Sequence, residues 1–170
     1  ITSYARNFTI RAAQKNYYGV NERGFIYADT DSIHCDLAPD EIKGIKVHDK
    51  DFCCWKLESC WDKAIFTRQK TYIEHVVKEN CKPIDKPYNN IKCAGMPQKC
   101  KDLFEKSMNA NADPTAEWSD EEKEFLFDKD NSPIKRSFAD FRIGLKVPGK
   151  LRPKRIRGGI LLVETTYEMR

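Results

Sequence analysis

Hydrophobic positions at the start of the chain recur along one side of a helix. Ile1, Ala5, Phe8 and Ala12 are spaced by four, three and four residues, the period of a helical face, and Gly19 is a natural stop. A packing helix over residues 1 to about 18 is predicted. The period then changes. Phe25-Ile26-Tyr27-Ala28 is a short apolar run that climbs into Asp29-Thr30-Asp31, and Ser32-Ile33-His34-Cys35 leaves by alternation, with Gly24 punctuating the start. Strand, tight turn, strand is the prediction. Pro39-Asp40-Glu41 predicts a short helix to about Lys46, with proline in the first turn and acids beside the positive helix end. Phe52 to Glu58 and Ser59 to Thr67 read as strands, with Trp55 and Trp61 in the core. Thr67 to His75 reads as one continuous strand, and residues 79–90, rich in proline and asparagine, as a loop or hairpin turn.

Further on, Ile91 to Met96 predicts a strand ending in a turn, Pro97 to Lys106 a short helix, and Asn109 to Thr115 a loop. Ser119 with Glu122 three residues later is a capping box, predicting a helix to about Lys129. Phe138 to Gly144 reads as a strand. Gly158-Gly159 marks a turn, and the aliphatic run Ile160 to Val163 a last strand.

At 170 residues the chain suits one domain or two small lobes. The net charge of +4 decides little, but its distribution does more. Residues 117–130 are acidic, whereas Lys150, Arg152, Lys154, Arg155 and Arg157 form a basic cluster, which suits a polyanionic partner. The seven cysteines include no Cys-x-x-Cys, and His34, His48 and His75 are scattered. Reduced structural thiols in a cytosolic protein, without zinc, are expected. No apolar run approaches membrane-spanning length and no signal peptide opens the chain. The first residue is Ile, so the chain is expected to begin mid-protein.

Two stretches carry candidate chemistry. In extended chain, Asp29 and Asp31 would share one face roughly 7 Å apart; carboxylates so placed repel unless a cation lies near, and their oxygens suit a hard divalent ion such as Mg²⁺. Asp-x-Asp is also plain turn chemistry. In a strand over Thr67 to His75, Arg68, Lys70 and Tyr72 would share a face suited to phosphate, sugar and base contacts, or defend a sheet edge by charge.

Tyr27-Ala28-Asp29-Thr30-Asp31-Ser32, preceded by apolar residues and followed by Ile33, resembles the motif of family B DNA polymerases that carries palm carboxylates. Arg68-Gln69-Lys70-Thr71-Tyr72-Ile73, about forty residues later, resembles their primer-strand motif. The opening Ile1-Thr2-Ser3-Tyr4-Ala5-Arg6, the Lys92-Cys93-Ala94-Gly95-Met96 string and the C-terminal run from Gly158 to Glu168 are similar to segments of the protein-primed phage enzymes. The resemblance implies the second half of a palm over residues 1–96 and a thumb over 97–170, with an acidic insertion at about 107–132 and a true end at Arg170. The implied fold class is α+β: an antiparallel palm sheet with flanking helices, then a small β-rich thumb carrying a helical insertion.

By the matching motifs, Asp31 would ligate a metal, with Asp29 tuning the site or binding a metal less directly. Tyr27, Thr30 and Ser32 would shape the hairpin. Lys70 and Tyr72, with Arg68 beside them, would position the primer end, and Lys150, Arg152, Lys154, Arg155 and Arg157 would grip duplex backbone. The implied reaction is template-directed nucleotidyl transfer from dNTPs to a primer 3′-hydroxyl or a terminal protein primer. It would use two Mg²⁺ (or Mn²⁺) ions in the complete enzyme, in the host cytoplasm and without a membrane partner. A further metal-binding aspartate, a basic dNTP-binding helix and a proofreading exonuclease would belong to a missing N-terminal part, so the chain alone is expected to be inactive. Two rivals remain: a non-catalytic DNA-binding remnant or split-polymerase subunit, and a metal-dependent glycosyltransferase, which would leave Lys70, Tyr72 and the basic tail unused.

Overall fold

A computed structural model describes residues 2–170. The chain divides into two compact units, Ile1–Lys70 with Glu74–Asn90, and Thr71–Ile73 with Ile91–Arg170. Helix α1 (Thr2–Asn16) opens the first; Ile1, assigned to its packing face, lies outside the described residues. The helix buries Thr9, Ala12 and Asn16, a face turned slightly from the predicted one. Phe8 is 41% exposed and stacks on Trp55, centroids 5.9 Å apart. A polar side chain decides the rotation. Asn16 donates to the Ala12 and Lys43 carbonyls and accepts the Lys43 N–H at 2.8 Å, so the helix stops there rather than at Gly19.

Strands β1 (Phe25–Asp29) and β2 (Ser32–Cys35) form an antiparallel hairpin with Tyr27 opposite His34 and Asp29 opposite Ser32. No helix follows. Pro39 to Lys46 is a succession of turns, interrupted by Gly44 at φ 73° and pinned at Lys43 by Asn16. The strand predicted over Phe52 to Glu58 is also absent. Cys53 takes φ 57° and Phe52 is 98% exposed, leaving one bridge between Val47 and Trp55.

Strands β3 (Ser59–Arg68), β4 (Thr71–Glu79) and β5 (Lys82–Cys93) form a separate sheet in that order. The single strand expected over Thr67 to His75 is therefore two, broken at Gln69-Lys70, where Lys70 takes φ 57°. The expected loop at 79–90 is mostly strand. Asn80 and Cys81, at φ 46° and 66°, make a two-residue turn of the kind that matches strand twist. Pro83 and Pro87 lie on β5, an edge strand, the place in a sheet where proline is tolerated.

The second unit holds most of the fully buried apolar side chains. Helix α2 (Gln98–Asn109) buries Cys100, Leu103, Phe104, Ser107 and Met108, the three–four spacing of an amphipathic helix. Helix α3 (Asp120–Leu126) starts at the predicted capping box, Ser119 and Glu122 satisfying each other's backbone N–H, and ends earlier than expected. Its Phe125 and Leu126 enter the core. Lys99 joins α2 to α3 through Glu122 (2.7 Å) and also reaches Glu164. Phe138 to Asp140 is a 3-10 turn rather than a strand, capped by the pairing of Ser137 with Asp140, and it delivers Phe141 fully buried. Strands β6 (Lys146–Ile156) and β7 (Gly159–Glu168) close the chain as an antiparallel ribbon. Its base, at Val147 and Tyr167, is buried; from Leu151 outward it is exposed. Among the described residues, two antiparallel ribbons, a separate three-stranded sheet and three α-helices make the fold mixed α and β.

Candidate functional site

The β1–β2 hairpin turns on Thr30 and Asp31 alone. Two-residue hairpin turns need a left-handed residue to match the twist of their strands, and Thr30 supplies it at φ 42°. A β-branched residue there is strained. The turn is held by three hydroxyls. Thr9 on α1 points its hydroxyl at the Thr30 carbonyl at 2.9 Å, Thr30 donates to Asp29 Oδ1 at 3.1 Å, and Ser32 donates to the Asp29 carbonyl at 3.1 Å. The helix thus braces the hairpin from outside it. Asp31 stands in the turn, so the extended-chain argument for a shared face does not apply: the backbone reverses between the two carboxylates.

A second turn docks on the first. The Lys70 N–H donates to the Tyr27 hydroxyl at 3.0 Å, and Lys70 Nζ lies 3.6 Å from Asp29 Oδ2, with the ammonium side chain 60% and the carboxylate side chain 33% exposed. A strained turn carrying carboxylates is thereby clamped to a turn carrying a cation. Arg68 ends β3 and is exposed. Tyr72, on β4, belongs to the second unit. The common strand face proposed for Arg68, Lys70 and Tyr72 does not exist, because the chain reverses between the first and the last of them.

Behind the turns lies a cluster that sequence reasoning did not pick out. His34 Nδ1 is 2.7 Å from Glu74 Oε1, and Asn90 donates to Glu74 Oε2 at 3.1 Å. The His34 ring packs on Tyr27 (5.5 Å) and edge-on to Phe66 (5.3 Å), and Tyr27 also meets Phe66 (5.9 Å). Separated by some forty positions from His34, Glu74 gave no local signal. Next to His34, burial and then the neighbouring Asp36 push the Cys35 thiol up to about 11, so at neutral pH it stays a protonated thiol, a poor nucleophile. Asp29 and Asp31 offer hard oxygen donors of the kind Mg²⁺ takes. Among the described residues no group of three or more His, Cys, Asp or Glu side chains is placed to hold an ion.

The basic residues of the second unit separate by face. In the β6–β7 register Arg152 opposes Val163 and Lys154 opposes Leu161, while Arg155 opposes Ile160. Alternation puts Lys150, Arg152 and Lys154 on one face and Arg155 on the other, with Arg157 in the turn. One face of β6 therefore carries three cations at two-residue steps. Among the described residues no helix is long and apolar enough to cross a membrane.

No protein-family model matches the chain. Curated relatives do. The DNA polymerase of Streptococcus phage Cp-1 is 30% identical over 170 residues, covering 100% of this chain and 22% of the relative. That of Bacillus phage phi29 is 32% identical over 183 residues, again covering 100% of the chain and 25% of the relative. The solved structure of phi29 DNA polymerase with primer-template DNA and incoming nucleotide substrates matches at a TM-score of 0.64 and 29% identity, over 99% of this chain and 24% of that one. The primer-template binary complex gives 0.64 and 29% over 99% and 25%. In sequence and in fold the chain is thus similar, along its whole length, to the phage DNA polymerases of the phi29 type, and it spans about a quarter of their length.

Proposed function

We propose that the chain is the part of a protein-primed DNA polymerase that contributes the second half of the palm and the thumb, residues 1–96 and 97–170, with 107–132 a thumb insertion. The carrying observation is the docking of the Lys70 turn on the Asp29-Thr30-Asp31 turn through the Tyr27 hydroxyl. In this reading Asp31, and less directly Asp29, hold Mg²⁺ or Mn²⁺, and further donors come from outside these residues. When bound, a pair of such ions steadies the attacking and leaving oxygens of nucleotidyl transfer. Lys70 places a cation beside the carboxylates, where the phosphates of primer and dNTP would pass, and Tyr72 and Arg68 steady the primer end. Lys150, Arg152 and Lys154, with Arg155 and Arg157, hold duplex backbone, a contact that weakens steeply with salt. Primer-template DNA, dNTPs, a terminal protein primer and the rest of the polymerase are the partners, in the host cytoplasm. The similarity to polymerases runs through Lys70, Tyr72 and the ribbon, which a glycosyltransferase reading leaves unused.

The test is a Mn²⁺ titration of the 170-residue chain followed by NMR, beside primer-extension and duplex-binding assays. The reading requires paramagnetic broadening of the residue 29–32 amides that Asp31→Asn removes, no primer extension by the chain alone, and salt-dependent duplex binding. Duplex binding without any local Mn²⁺ effect would favour a non-catalytic DNA-binding remnant.

A further inference from the structure

Glu74 is 1% exposed, which is an expensive place for a carboxylate. Burying one costs several kcal/mol unless it is hydrogen-bonded, and an apolar residue of similar volume is often at least as stabilising. The other deeply buried carboxylate, Glu122, is accounted for by its ion pair with Lys99 and its capping role. Among the described residues, the ion-pair partner of Glu74 is a histidine, at 2.7 Å, and its second oxygen takes the Asn90 amide.

What that histidine touches gives the buried acid a purpose. His34 stands three residues after Asp31, directly across the hairpin from Tyr27. Its ring packs on the Tyr27 ring, whose hydroxyl receives the Lys70 N–H, and Tyr27 is two residues before Asp29. A carboxylate oxygen at Nδ1 fixes both the rotation of the imidazole and the nitrogen that carries its proton. The imidazole in turn limits where the Tyr27 ring can lie, and Tyr27 links the carboxylate turn to the Lys70 turn. We propose that Glu74, held by Asn90 and acting through His34, is a positioning residue that sets the Asp29-Thr30-Asp31 turn for metal and phosphate binding. The inference rests on the metal-binding reading of that turn. It adds to that reading a buried relay drawn from β2, β4 and β5.

Glu74→Leu and Glu74→Gln, made in the 170-residue chain, test it. The readouts are the His34 side-chain ¹⁵N signals, which report the protonated nitrogen, and the Mn²⁺ concentration that half-broadens the residue 29–32 amides. Glu74→Leu is expected to shift His34 away from the Nδ1–H form and to raise that concentration about tenfold, the usual cost of losing an outer-shell partner. Glu74→Gln keeps an acceptor at Nδ1 once the Asn90 amide turns to present its oxygen to the new NH2 group, and it is expected to restore both readouts. A folded Glu74→Leu chain with the wild-type His34 signature, or with unchanged Mn²⁺ response, overturns the proposal, as does failure of glutamine to rescue. If Glu74→Leu does not fold, His34→Phe, which keeps the ring packing and loses the hydrogen bond, takes its place with the same Mn²⁺ criterion. If the wild-type chain itself gives no local Mn²⁺ effect, the metal reading fails separately. Amide exchange of Thr30, Asp31 and Ser32 then decides the positioning role: faster exchange in Glu74→Leu supports it and unchanged exchange refutes it.

Discussion

Replacing Tyr27 with phenylalanine removes one oxygen atom, and that atom receives the Lys70 N–H at 3.0 Å. The ring contacts with His34 and Phe66, at 5.5 and 5.9 Å, are retained by phenylalanine, so the substitution removes what the hydroxyl does and leaves the ring packing. Such a bond contributes about 0.5–1.5 kcal/mol net. The Lys70 turn carries strain of its own. Its residue sits at φ 57°, a conformation that costs a side-chain-bearing residue about 1–2 kcal/mol, and the Asp29–Lys70 pair is too exposed to offset it, such pairs giving about 0–1 kcal/mol. The expected loss therefore appears locally. At ~0.6 kcal/mol per e-fold, Tyr27→Phe should speed exchange of the Lys70 amide by about two- to thirteenfold under conditions where exchange reports opening. Amides in β6 and β7, in the other unit, should keep their rates. Hydrogen exchange followed by NMR measures both. An unchanged Lys70 rate in Tyr27→Phe would mean that the hydroxyl does not hold the two turns together, and the argument for a clamped site would fail.

Other substitutions probe the remaining elements. Lys99→Met should destabilise the second unit by about 1–2 kcal/mol, discounted for the half-exposed ammonium but not for the buried Glu122 it leaves unpaired, as read by thermal and denaturant unfolding. That deficit should be flat across a wide pH range. Hydrogen bonds to Glu122 and then Glu164 push Lys99 above its ordinary 10.5, so its contribution is complete below that value and is lost only as pH rises through the folded value. Burial opposes the Glu122 charge, but the bonds from Lys99 and the Ser119 N–H hold it below its ordinary 4.5, so its contribution is complete above 4.5 and vanishes as pH falls through the folded value. A deficit that varied between pH 6 and 9, or none, would count against the lock. Cys81→Gly should stabilise by about 1 kcal/mol, since glycine suits the second left-handed position of the Asn80-Cys81 turn; a lower melting temperature would contradict the turn. Arg152→Ala with Lys154→Ala should flatten the salt dependence of duplex binding, lowering the slope of log K against log salt by about 2. An unchanged slope would remove the ribbon from the DNA contact.

The sequence by itself carried what is local. The Asp29-Thr30-Asp31 turn, the Ser119–Glu122 capping box and the final ribbon were legible because each depends on residues a few positions apart, and the family resemblance rested on those same strings. The readings that failed needed knowledge of distant partners. Alternation puts Lys70 on a strand because it cannot reveal a left-handed backbone, and here Tyr27, forty-three residues away, receives its N–H. Residues 79–90 read as loop or hairpin turn because proline and asparagine favour turns, and only the sheet order puts β5 at an edge that tolerates them. The packing face of α1 was set by Asn16 meeting Lys43, which hydrophobic spacing does not record. Glu74 was unremarkable as one acid among many, since burial belongs to no residue alone. Folding brought it to His34, and that contact gave the site a floor.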